Sequence, residues 1–528
     1  MKLICALMLA GLSSTALAAS SPDSLIVERS ISEMDDMLAS GQTTSRALVQ
    51  DYLERITEID RAGPAINSVI AINPDALAQA RALDDERRAG RVRGPLHGIP
   101  VLIKDNIETK DRLPTTAGSL ALKDNVSGRD APLVARLRAA GAIILGKTNL
   151  SEWANIRSTR SSSGWSAVGG LTKNPYALDR NACGSSSGSG AAAAASLAAA
   201  AVGTETDGSV TCPAAVNGIV GLKPTVGLVS RTYVVPISHS QDTAGPMART
   251  VRDAALLLTA MAGSDPADPA TADSDRHRTN FAAALSPDAL KGKRLGVLRF
   301  AVGPSPETVR LFDAALKDLQ AAGAELVEID AMPNRAQIRD AEQVVLMTEL
   351  KADLDAYLSS TDPKKVHTRS LADVIAFNRE NASTELRWFG QERFEQSVET
   401  KGLSDPEYLK ARMTARSLAG PEGIDALLKA HQLDALIAPT TGPSWTTDLI
   451  NGDHVGGGGA GSLAAVAGYP HLTVPMGLVH GLPVGLSFIG TAWDDADILA
   501  LGYAYEQRTK RRQPPGDSEG IPGPAERP

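Results

Sequence analysis

The stretch from Cys183 to Thr225 reads CGSSSGSGAAAAASLAAAAVGTETDGSVTCPAAVNGIVGLKPT. It opens with three consecutive serines between glycines and continues with an alanine-rich run, Ala191 to Ala201. Because alanine side chains are so small, the run predicts a buried helix that lets neighbouring backbones approach closely. The serine cluster lies just ahead of its N-terminus, where free backbone N–H groups favour negative charge.

Strand-like and helical segments alternate upstream of this stretch. Residues 98–107 (GIPVLIKDNI) predict a buried strand, residues 133–140 (LVARLRAA) a helix closed by Gly141, and residues 142–145 another short buried strand. Alternation of this kind is typical of an α/β protein built on a layered sheet. At 528 residues with 43% hydrophobic content, the chain is long enough to bury a large core.

The remaining segments are patterned less strongly. Residues 20–90 predict helices, at 30–39, 45–59 and 74–90, and residues 265–290 predict a surface connection. Residues 305–430 predict a mostly helical region that covers a cleft. The runs LTVPMG and PVGLSFIG near the end predict strands. The domain is expected to span residues 20–511, followed by a flexible Pro/Gly-rich tail at 512–528.

The first 18 residues have the pattern of a cleaved targeting segment. Lys2 precedes an apolar run from Leu3 to Leu12, and Ala16-Leu17-Ala18 supplies a small-x-small cleavage site. The run is too short to span a bilayer comfortably, so we expect an exported protein, periplasmic or secreted, with no stable membrane insertion. The net charge of −8 argues against a nucleic-acid partner.

Two cysteines, Cys183 and Cys212, remain after the targeting segment. In an exported protein they could form a disulfide, but two small buried thiols are the default interpretation. The sequence has no CxxC and no HExxH pattern, and its eight histidines are scattered. We therefore expect neither a metal nor another cofactor.

Two short motifs match well-known patterns. Residues 141–148 (GAIILGKT) fit the phosphate-loop pattern, but the apolar residues between the glycines predict a buried strand instead. Residues 184–188 (GSSSG) fit a nucleophile elbow centred on Ser186. That interpretation requires a downstream histidine, for which four candidates exist: His431, His454, His471 and His480. It would leave Ser209 and Lys104 without a role.

A serine and a lysine can together supply a nucleophile and a base. Lys104 ends an apolar run, and burial would lower its pKa towards neutrality. Asp105 would face the opposite side of the strand. Ser209 lies in a tight turn whose backbone N–H groups, from Thr206 to Ser209, would form an anion-binding nest. Taken singly, Lys104 also fits a surface lysine and Ser209 a turn serine; the combination favours a catalytic site.

This combination resembles the amidase signature family. The resemblance covers nearly the whole mature chain, through GIPVLIKDN, GKTNLSEWAN, the serine cluster, GTETDGS, GLKPT, DTAGPMAR, DALIAPTT, AGYPHLTVP and GLPVGLSFIG. It implies a single large domain with a mixed, twisted β-sheet flanked by many α-helices, and a serine amide hydrolase. The implied site residues are the nucleophile Ser209, the relay Ser185 after a cis bond from Gly184, the base Lys104, the supporting Ser186 bonded to that lysine, and the oxyanion groups Thr206, Asp207, Gly208 and Ser209.

The nucleophile turn departs from the wider family, in which Asp-x-Gly-Gly-Ser-Ile-Arg is common. Here Asp207 stands in place of a glycine and Thr211 in place of the arginine. The variant is similar to the bacterial peptide amidase branch, which implies deamidation of peptide C-terminal amides. An acylamidase of aliphatic or aryl amides and a Ser-His-Asp hydrolase remain alternatives. A tRNA-dependent transamidating enzyme and a solute-binding protein are disfavoured, so the expected partner is a small-molecule or peptide amide.

Overall fold

Fifteen strands occur in residues 23–516, the part of the chain that this computed structural model describes. Their bounds are β1 Val69–Ile72, β2 Pro100–Lys104, β3 Ile143–Thr148, β4 Trp165–Ser166, β5 Gly170–Leu171, β6 Lys173–Asn174, β7 Ala177–Asn181, β8 Ala200–Glu205, β9 Val220–Lys223, β10 Thr243–Ala248, β11 Arg294–Leu298, β12 Glu325–Ile329, β13 Ala435–Pro439, β14 His471–Val479 and β15 Leu482–Ile489.

Eighteen α-helices accompany these strands in the same described region. They are α1 Asp23–Ile26, α2 Ile31–Ala39, α3 Ser45–Arg55, α4 Ala76–Arg88, α5 Pro132–Ala139, α6 Ser187–Ala194, α7 Thr211–Val216, α8 Val251–Met261, α9 Ser274–His277, α10 Pro306–Ala321, α11 Arg335–Ser360, α12 Leu371–Glu380, α13 Ala382–Glu385, α14 Glu392–Val398, α15 Pro406–Ala419, α16 Asp425–His431, α17 Gly461–Ala467 and α18 Asp495–Thr509.

Eleven strands form one mixed sheet in the order β1-β3-β2-β8-β10-β9-β14-β15-β13-β11-β12. Strands β3, β2 and β8 run parallel, as do β13, β11 and β12, and the remaining pairs are antiparallel. Helices pack on this sheet around a core of aliphatic side chains. The prediction of an α/β fold with a mixed sheet flanked by many helices is therefore confirmed.

The central strands β2 and β8 position the residues at their carboxyl ends next to the serine cluster. Every residue of both strands is buried, which follows from their apolar sequences and from having neighbours on both sides. They pair in parallel, with Ile103 opposite Val202. Their carboxyl ends, at Lys104 and Glu205, consequently emerge at one edge of the sheet, next to the serine cluster.

Helix α6 packs with its backbone unusually close to its neighbours. All eight of its residues are buried, and a Cβ atom at Gly188 would lie 2.6 Å from the backbone nitrogen of Asn149. The prediction of a single helix over Ala191 to Ala201 is wrong in its extent. The helix ends at Ala194, the chain turns at Ser196 with a left-handed φ of 55°, and Ala200 begins β8.

Two other regions differ from expectation. Strand β1 interrupts the region 20–90, which the sequence assigned to helices alone. Strand β12 lies inside the mostly helical region 305–430; it pairs along its whole length with β11 at the edge of the sheet. Within that region, α11 contributes Ile338, Glu342 and Leu346 to the walls of clefts beside the serine cluster.

The first and last parts of the described region, residues 23–516, meet beside the end of α6. The guanidinium of Arg512 pairs with the Glu28 carboxylate at 2.6 Å and donates to the carbonyl of Gly218. The tail predicted to begin at residue 512 is thus held at its first residues, because Gln513 also accepts a hydrogen bond from Tyr176. The predicted signal segment, 1–18, and residues 517–528 lie outside the described residues. Among the helices of residues 23–516, none has the length and apolar character needed to cross a membrane.

Candidate active site

Lys104 is completely buried at the end of β2. Its Nζ lies 2.7 Å from Ser185 Oγ, 2.8 Å from Thr204 Oγ1 and 3.2 Å from the Thr204 carbonyl. No carboxylate in residues 23–516 pairs with it within 4 Å. Burial lowers the pKa of Lys104 to about 7, and the more distant charges of Asp242 and Glu205 oppose that shift only in part.

Asp105 faces the other side of the strand, as the alternation of strand side chains requires. Its carboxylate accepts hydrogen bonds from Thr116 and lies 3.5 Å from Lys147 Nζ. Lys147 also donates to the Ile107 carbonyl at 2.6 Å. Asp105 thus interacts with Lys147 and not with Lys104. Its charge therefore does not oppose the lowered pKa of Lys104.

The serine cluster divides its contacts between β2 and β8. A cis peptide bond joins Gly184 to Ser185, where the family resemblance places one. Ser186 does not hydrogen-bond to Lys104, which corrects the expectation of direct support. It directly precedes α6, and its side chain faces β8, where its Oγ donates to the Thr204 carbonyl at 3.0 Å. Ser186 and Lys104 therefore meet indirectly, at Thr204.

Ser209 lies in the turn between β8 and α7 and is 8% exposed. Its carbonyl accepts from the Ser186 amide at 3.1 Å, which ties the turn to the serine cluster. Within residues 23–516, its hydroxyl and the backbone N–H groups of residues 206–209 form no hydrogen bond. Gly208 has a φ of +76°, a left-handed conformation that suits glycine. The turn thus presents a hydroxyl together with unsatisfied donors.

Glu205 holds this turn in place through hydrogen bonds to the residues that follow Ser209. Its Oε2 accepts from the amides of Val210 and Thr211, at 2.7 and 2.9 Å, and from the Thr211 hydroxyl at 3.2 Å. Thr206 is fixed from the other side, since its hydroxyl donates to Asp242 at 2.5 Å. The turn is therefore rigidly supported although its own N–H groups remain free.

Ser209 and Gly184 face a cleft of about 310 Å³. Helices α11 and α14 and the loops after β3 and β13 complete its walls with mostly polar side chains. The structure thus places Gly184 and the turn of Ser209 on the cleft, whereas Lys104 and Ser185 are completely buried and do not line it. The hydrogen bond between Ser185 and Lys104 is formed; a hydrogen bond between the hydroxyls of Ser185 and Ser209 is not.

Cys183 and Cys212 form a disulfide with a Cα–Cα distance of 6.0 Å. The sequence left open whether they form a bond or remain thiols. The disulfide joins the residue before the Gly184–Ser185 bond to helix α7, which follows the nucleophile turn. It therefore connects the two segments that carry the serines.

The two motif alternatives fit the structure poorly. Residues 143–148 of the phosphate-loop match form the buried strand β3. Of the histidines considered for an elbow at Ser186, none in the described residues hydrogen-bonds to that serine. His471 is buried, its Nε2 pairs with Ser487 Oγ at 2.6 Å, and burial lowers its pKa to about 3. The site contains no histidine in the position of a general base for Ser186.

One group of possible metal ligands occurs in residues 23–516: His239, Glu349 and Asp353. Both ring nitrogens of His239 already face carboxylates, at 2.9 Å from Asp353 and 3.3 Å from Glu349. Glu349 also accepts hydrogen bonds from Ser238, Ser240 and Tyr408. These groups already interact with one another. We therefore assign them a structural role: they fix the loop of residues 238–240 to α11.

Sequence reasoning missed two residues of the site. Thr204 gathers Lys104, Ser186 and Asn106, and Gln241 bridges the Thr206 carbonyl to Glu342 on α11. Thr204 lies within the GTETDGS motif, but nothing in the sequence shows that it faces a lysine 100 residues upstream. Gln241 has no distinguishing sequence signal.

Comparisons with known proteins identify the family of this chain. A model of the amidase family matches residues 47–499. A probable amidase of Arabidopsis thaliana is 40% identical over 500 residues, covering 93% of this chain and 92% of the relative. The solved native peptide amidase of Stenotrophomonas maltophilia is 53% identical, with a TM-score of 0.88, and covers 93% of this chain and 99% of its own. A complex of the peptide amidase PAM with the competitive inhibitor chymostatin is also 53% identical, with a TM-score of 0.90 and the same coverage.

The fold, the site and these relatives together define a hydrolase of amide C–N bonds. The chain belongs to the amidase family, and its structure has the amidase signature fold.

Proposed function

We propose that this enzyme removes the C-terminal amide of peptides and releases ammonia, using Ser209 as nucleophile, Ser185 as proton relay and Lys104 as base. The observation that carries the proposal is the buried amine of Lys104, 2.7 Å from Ser185 Oγ and without a carboxylate partner among the described residues. A lysine in this setting is neutral at the pH at which a base must act.

The surroundings of Lys104 suit a neutral amine. Such an amine has two N–H donors and one lone pair. The carbonyl and hydroxyl oxygens of Thr204 are positioned to accept the two donors. The lone pair is then left for the Ser185 hydroxyl, so that Ser185 donates its proton to Lys104.

The proposed reaction follows from this arrangement. Lys104 takes the proton of Ser185, Ser185 takes that of Ser209, and Ser209 Oγ attacks the carboxamide carbon. The free N–H groups of residues 206–209 stabilise the resulting oxyanion. The proton returns through Ser185 to the leaving nitrogen, the C–N bond breaks and ammonia departs. Water, activated through the same relay, hydrolyses the Ser209 ester and frees the carboxylic acid.

Two observations support a peptide amide as substrate. The first is the 53% identity to the peptide amidase of Stenotrophomonas maltophilia over 93% of this chain. The second is space: beside the 310 Å³ cleft lies a further cavity of about 480 Å³ that shares Asp207 with it. This volume exceeds what a small aliphatic amide requires.

Ammonia release tests the proposal directly. A short peptide amide, its free acid, a fatty amide and an anilide are offered to the wild-type enzyme, and products are identified by mass. We expect ammonia from the peptide amide, with the internal bonds intact. Turnover of only the fatty amide or the anilide would keep the serine–lysine mechanism and reject the peptide substrate.

Ser209→Ala tests the nucleophile. We expect turnover to fall by about a thousandfold or more, because nothing replaces the attacking oxygen. Cys183 and Cys212 should remain paired in the variant, as a control for folding. Wild-type turnover in this variant would refute the assignment.

We further propose that the enzyme is exported. The targeting pattern of residues 1–18 and the disulfide between Cys183 and Cys212 both fit an oxidising compartment. N-terminal sequencing of enzyme purified from a Gram-negative host's periplasm should give Ala19 as first residue. An intact Met1 on enzyme found only in the cytoplasm would contradict export.

A further inference from the structure

The 480 Å³ cavity beside the catalytic cleft has an acidic inner end. Asp207 belongs to both spaces, and Glu342 of α11 lines the second one beside it. Apolar residues of α11 and α17, among them Ile338 and Leu463, form the side walls of this cavity. A group bound in this cavity would therefore contact Asp207, two residues before the proposed nucleophile.

Both carboxyl groups are fixed in place by neutral donors. Asp207 Oδ2 accepts from the Ser462 hydroxyl at 2.8 Å. Glu342 Oε1 accepts from Gln241 Nε2 at 2.9 Å, and the same nitrogen lies 3.2 Å from the Thr206 carbonyl. In residues 23–516 neither carboxyl group forms an ion pair. Glu342 is thus linked to the nucleophile turn, yet its charge has no counter-ion there.

The charge of Asp207 also affects the ionisation of Glu342. Burial raises the pKa of Asp207 to about 6, and the charge of Glu205 adds to the shift. Burial, and after it the charge of Asp207, raises the pKa of Glu342 to about 8. Near pH 7 the pair therefore carries about one negative charge, which increases as the pH rises through 8.

The nearby cations neutralise the pair only in part: the buried Lys223 lowers the pKa of Asp207, but by less than burial raises it. Arg335 and Arg339 are exposed at the outer rim of the cavity: the first stacks over Phe300 at 4.9 Å, and the second lies 3.7 Å from Asp340. Arg393 of α14 lowers the pKa of Glu342 from a distance, and this effect is smaller than that of burial. The inner end of the cavity consequently favours one additional positive charge.

We infer that Asp207 and Glu342 form a subsite for a cationic side chain, so that peptide amides with arginine or lysine next to the carboxamide are preferred substrates. The inference rests on the proposed peptide-amide activity and specifies its substrate class. Apolar walls would pack against the methylene stem, and the carboxylates would receive the charged head.

A matched peptide series tests the inference. Ac-Phe-Xaa-NH2 and Ac-Xaa-Phe-NH2, with Xaa as arginine, norleucine or glutamate, place each charge at the amidated residue or its neighbour. We expect kcat/KM for one arginine peptide to exceed that of its norleucine analogue by about tenfold, and the glutamate analogue to be the poorest. The arginine preference should weaken in 0.5 M NaCl.

Glu342→Gln tests the contribution of Glu342. A glutamine retains an oxygen for Gln241 but cannot ionise, so at pH 9, where the wild-type Glu342 is charged, the arginine-to-norleucine ratio should fall to about half of the wild-type value or less, and it should no longer rise above pH 7. The ratio is measured within one preparation and is independent of any general loss of turnover. Asp340→Asn, which removes a charge from the same helix outside the acidic end, should keep the wild-type ratio. In the wild type the ratio should rise between pH 6 and pH 9, because arginine stays charged while Glu342 ionises.

The outcomes separate the two proposals. Equal kcat/KM for arginine and norleucine amides, or a Glu342→Gln variant that keeps both the wild-type ratio at pH 9 and its rise with pH, would overturn the cationic subsite alone. Absence of ammonia from every peptide amide would overturn the proposed function and the subsite with it.

Discussion

Thr204 holds the amine of Lys104 in position. The Thr204 hydroxyl lies 2.8 Å from Lys104 Nζ and its carbonyl 3.2 Å from the same atom. These contacts use the two N–H donors of the neutral amine, so that its lone pair is directed towards Ser185. At the scale of single residues, the proposed mechanism therefore makes Thr204 a positioning residue.

Thr204→Val should separate this role from a purely structural one. Valine keeps the shape but removes the acceptor that stabilises the ammonium form, so the pKa of Lys104 should fall below its present value of about 7. We expect kcat to decrease by about tenfold with KM nearly unchanged. The acidic limb of the pH–rate profile, on which activity rises as Lys104 loses its proton, should move to lower pH.

Thr271→Val is the matched control. Thr271 is also a fully buried threonine, but its hydroxyl bonds to the carbonyls of Asp265 and Asp268, outside the residues that line the cleft. It should lower stability without moving the pH limb. A Thr204 variant with an unchanged limb would show that Thr204 acts only in packing.

The sequence predicts the members of this site better than their contacts. Lys104 was identifiable because it ends an apolar run, and the serine cluster because of its glycines. The Ser186 contact was predicted wrongly, since Ser186 and Lys104 lie on either side of Thr204. Such contacts depend on which strands become neighbours, and β2 and β8 are about 100 residues apart in the chain.

Helix α6 has no room for side chains larger than those it carries. At Gly188, an added Cβ would meet the carbonyl oxygens of Ser68 and Asn149 and lie 2.6 Å from the Asn149 nitrogen. Gly188→Ala should therefore lower the free energy of unfolding by about 1–3 kcal/mol, although alanine is the better helix former by about 1 kcal/mol. Urea unfolding measures the difference.

Gly456→Ala controls for the substitution itself, because nothing lies within 4 Å of a Cβ at that position. Its stability should stay close to that of the wild type. If Gly188→Ala were as stable as the control, α6 would not be packed backbone to backbone.

The disulfide joins two neighbouring elements, the segment before α6 and helix α7. It closes a loop with a sequence separation of 29 residues, which predicts about 3.6 kcal/mol of stabilisation through the unfolded chain. The double variant Cys183→Ser/Cys212→Ser should unfold at a lower temperature in calorimetry, and reductant should lower only the wild-type value. Equal melting of both proteins, with and without reductant, would contradict a stabilising role.

At the scale of elements, the predictions that failed lacked a local signal. The alanine run was predicted as one helix because alanine favours helices throughout. The structure divides it at Ser196, since Ala200 and Ala201 are needed as partners of β2. Strand β1 is only four residues long and pairs at the edge of the sheet with β3, so that its pattern is too short to stand out among helices.

At the scale of the whole molecule, an ion pair connects the first and last parts of the described region, residues 23–516. Glu28 lies near the start of the described chain and Arg512 near its end, and they pair at 2.6 Å. Arg512 also donates to the Gly218 carbonyl at 2.6 Å, between α7 and β9. The sequence placed residue 512 in a loose tail because the composition after it is rich in proline and glycine, and composition does not reveal a single anchoring side chain.

Arg512→Ala should therefore affect the stability of the entire domain. It removes a largely buried cation, leaves Glu28 without its partner and leaves the carbonyl of Gly218 unsatisfied. We expect a loss of about 2–4 kcal/mol in the free energy of unfolding. Arg511→Ala is the matched control, because Arg511 pairs with Asp318 at 2.8 Å on the more exposed surface, where such a bridge contributes at most about 1 kcal/mol. Chemical unfolding of both variants should rank Arg512→Ala well below Arg511→Ala; the reverse order would mean that the chain ends do not stabilise the fold through this pair.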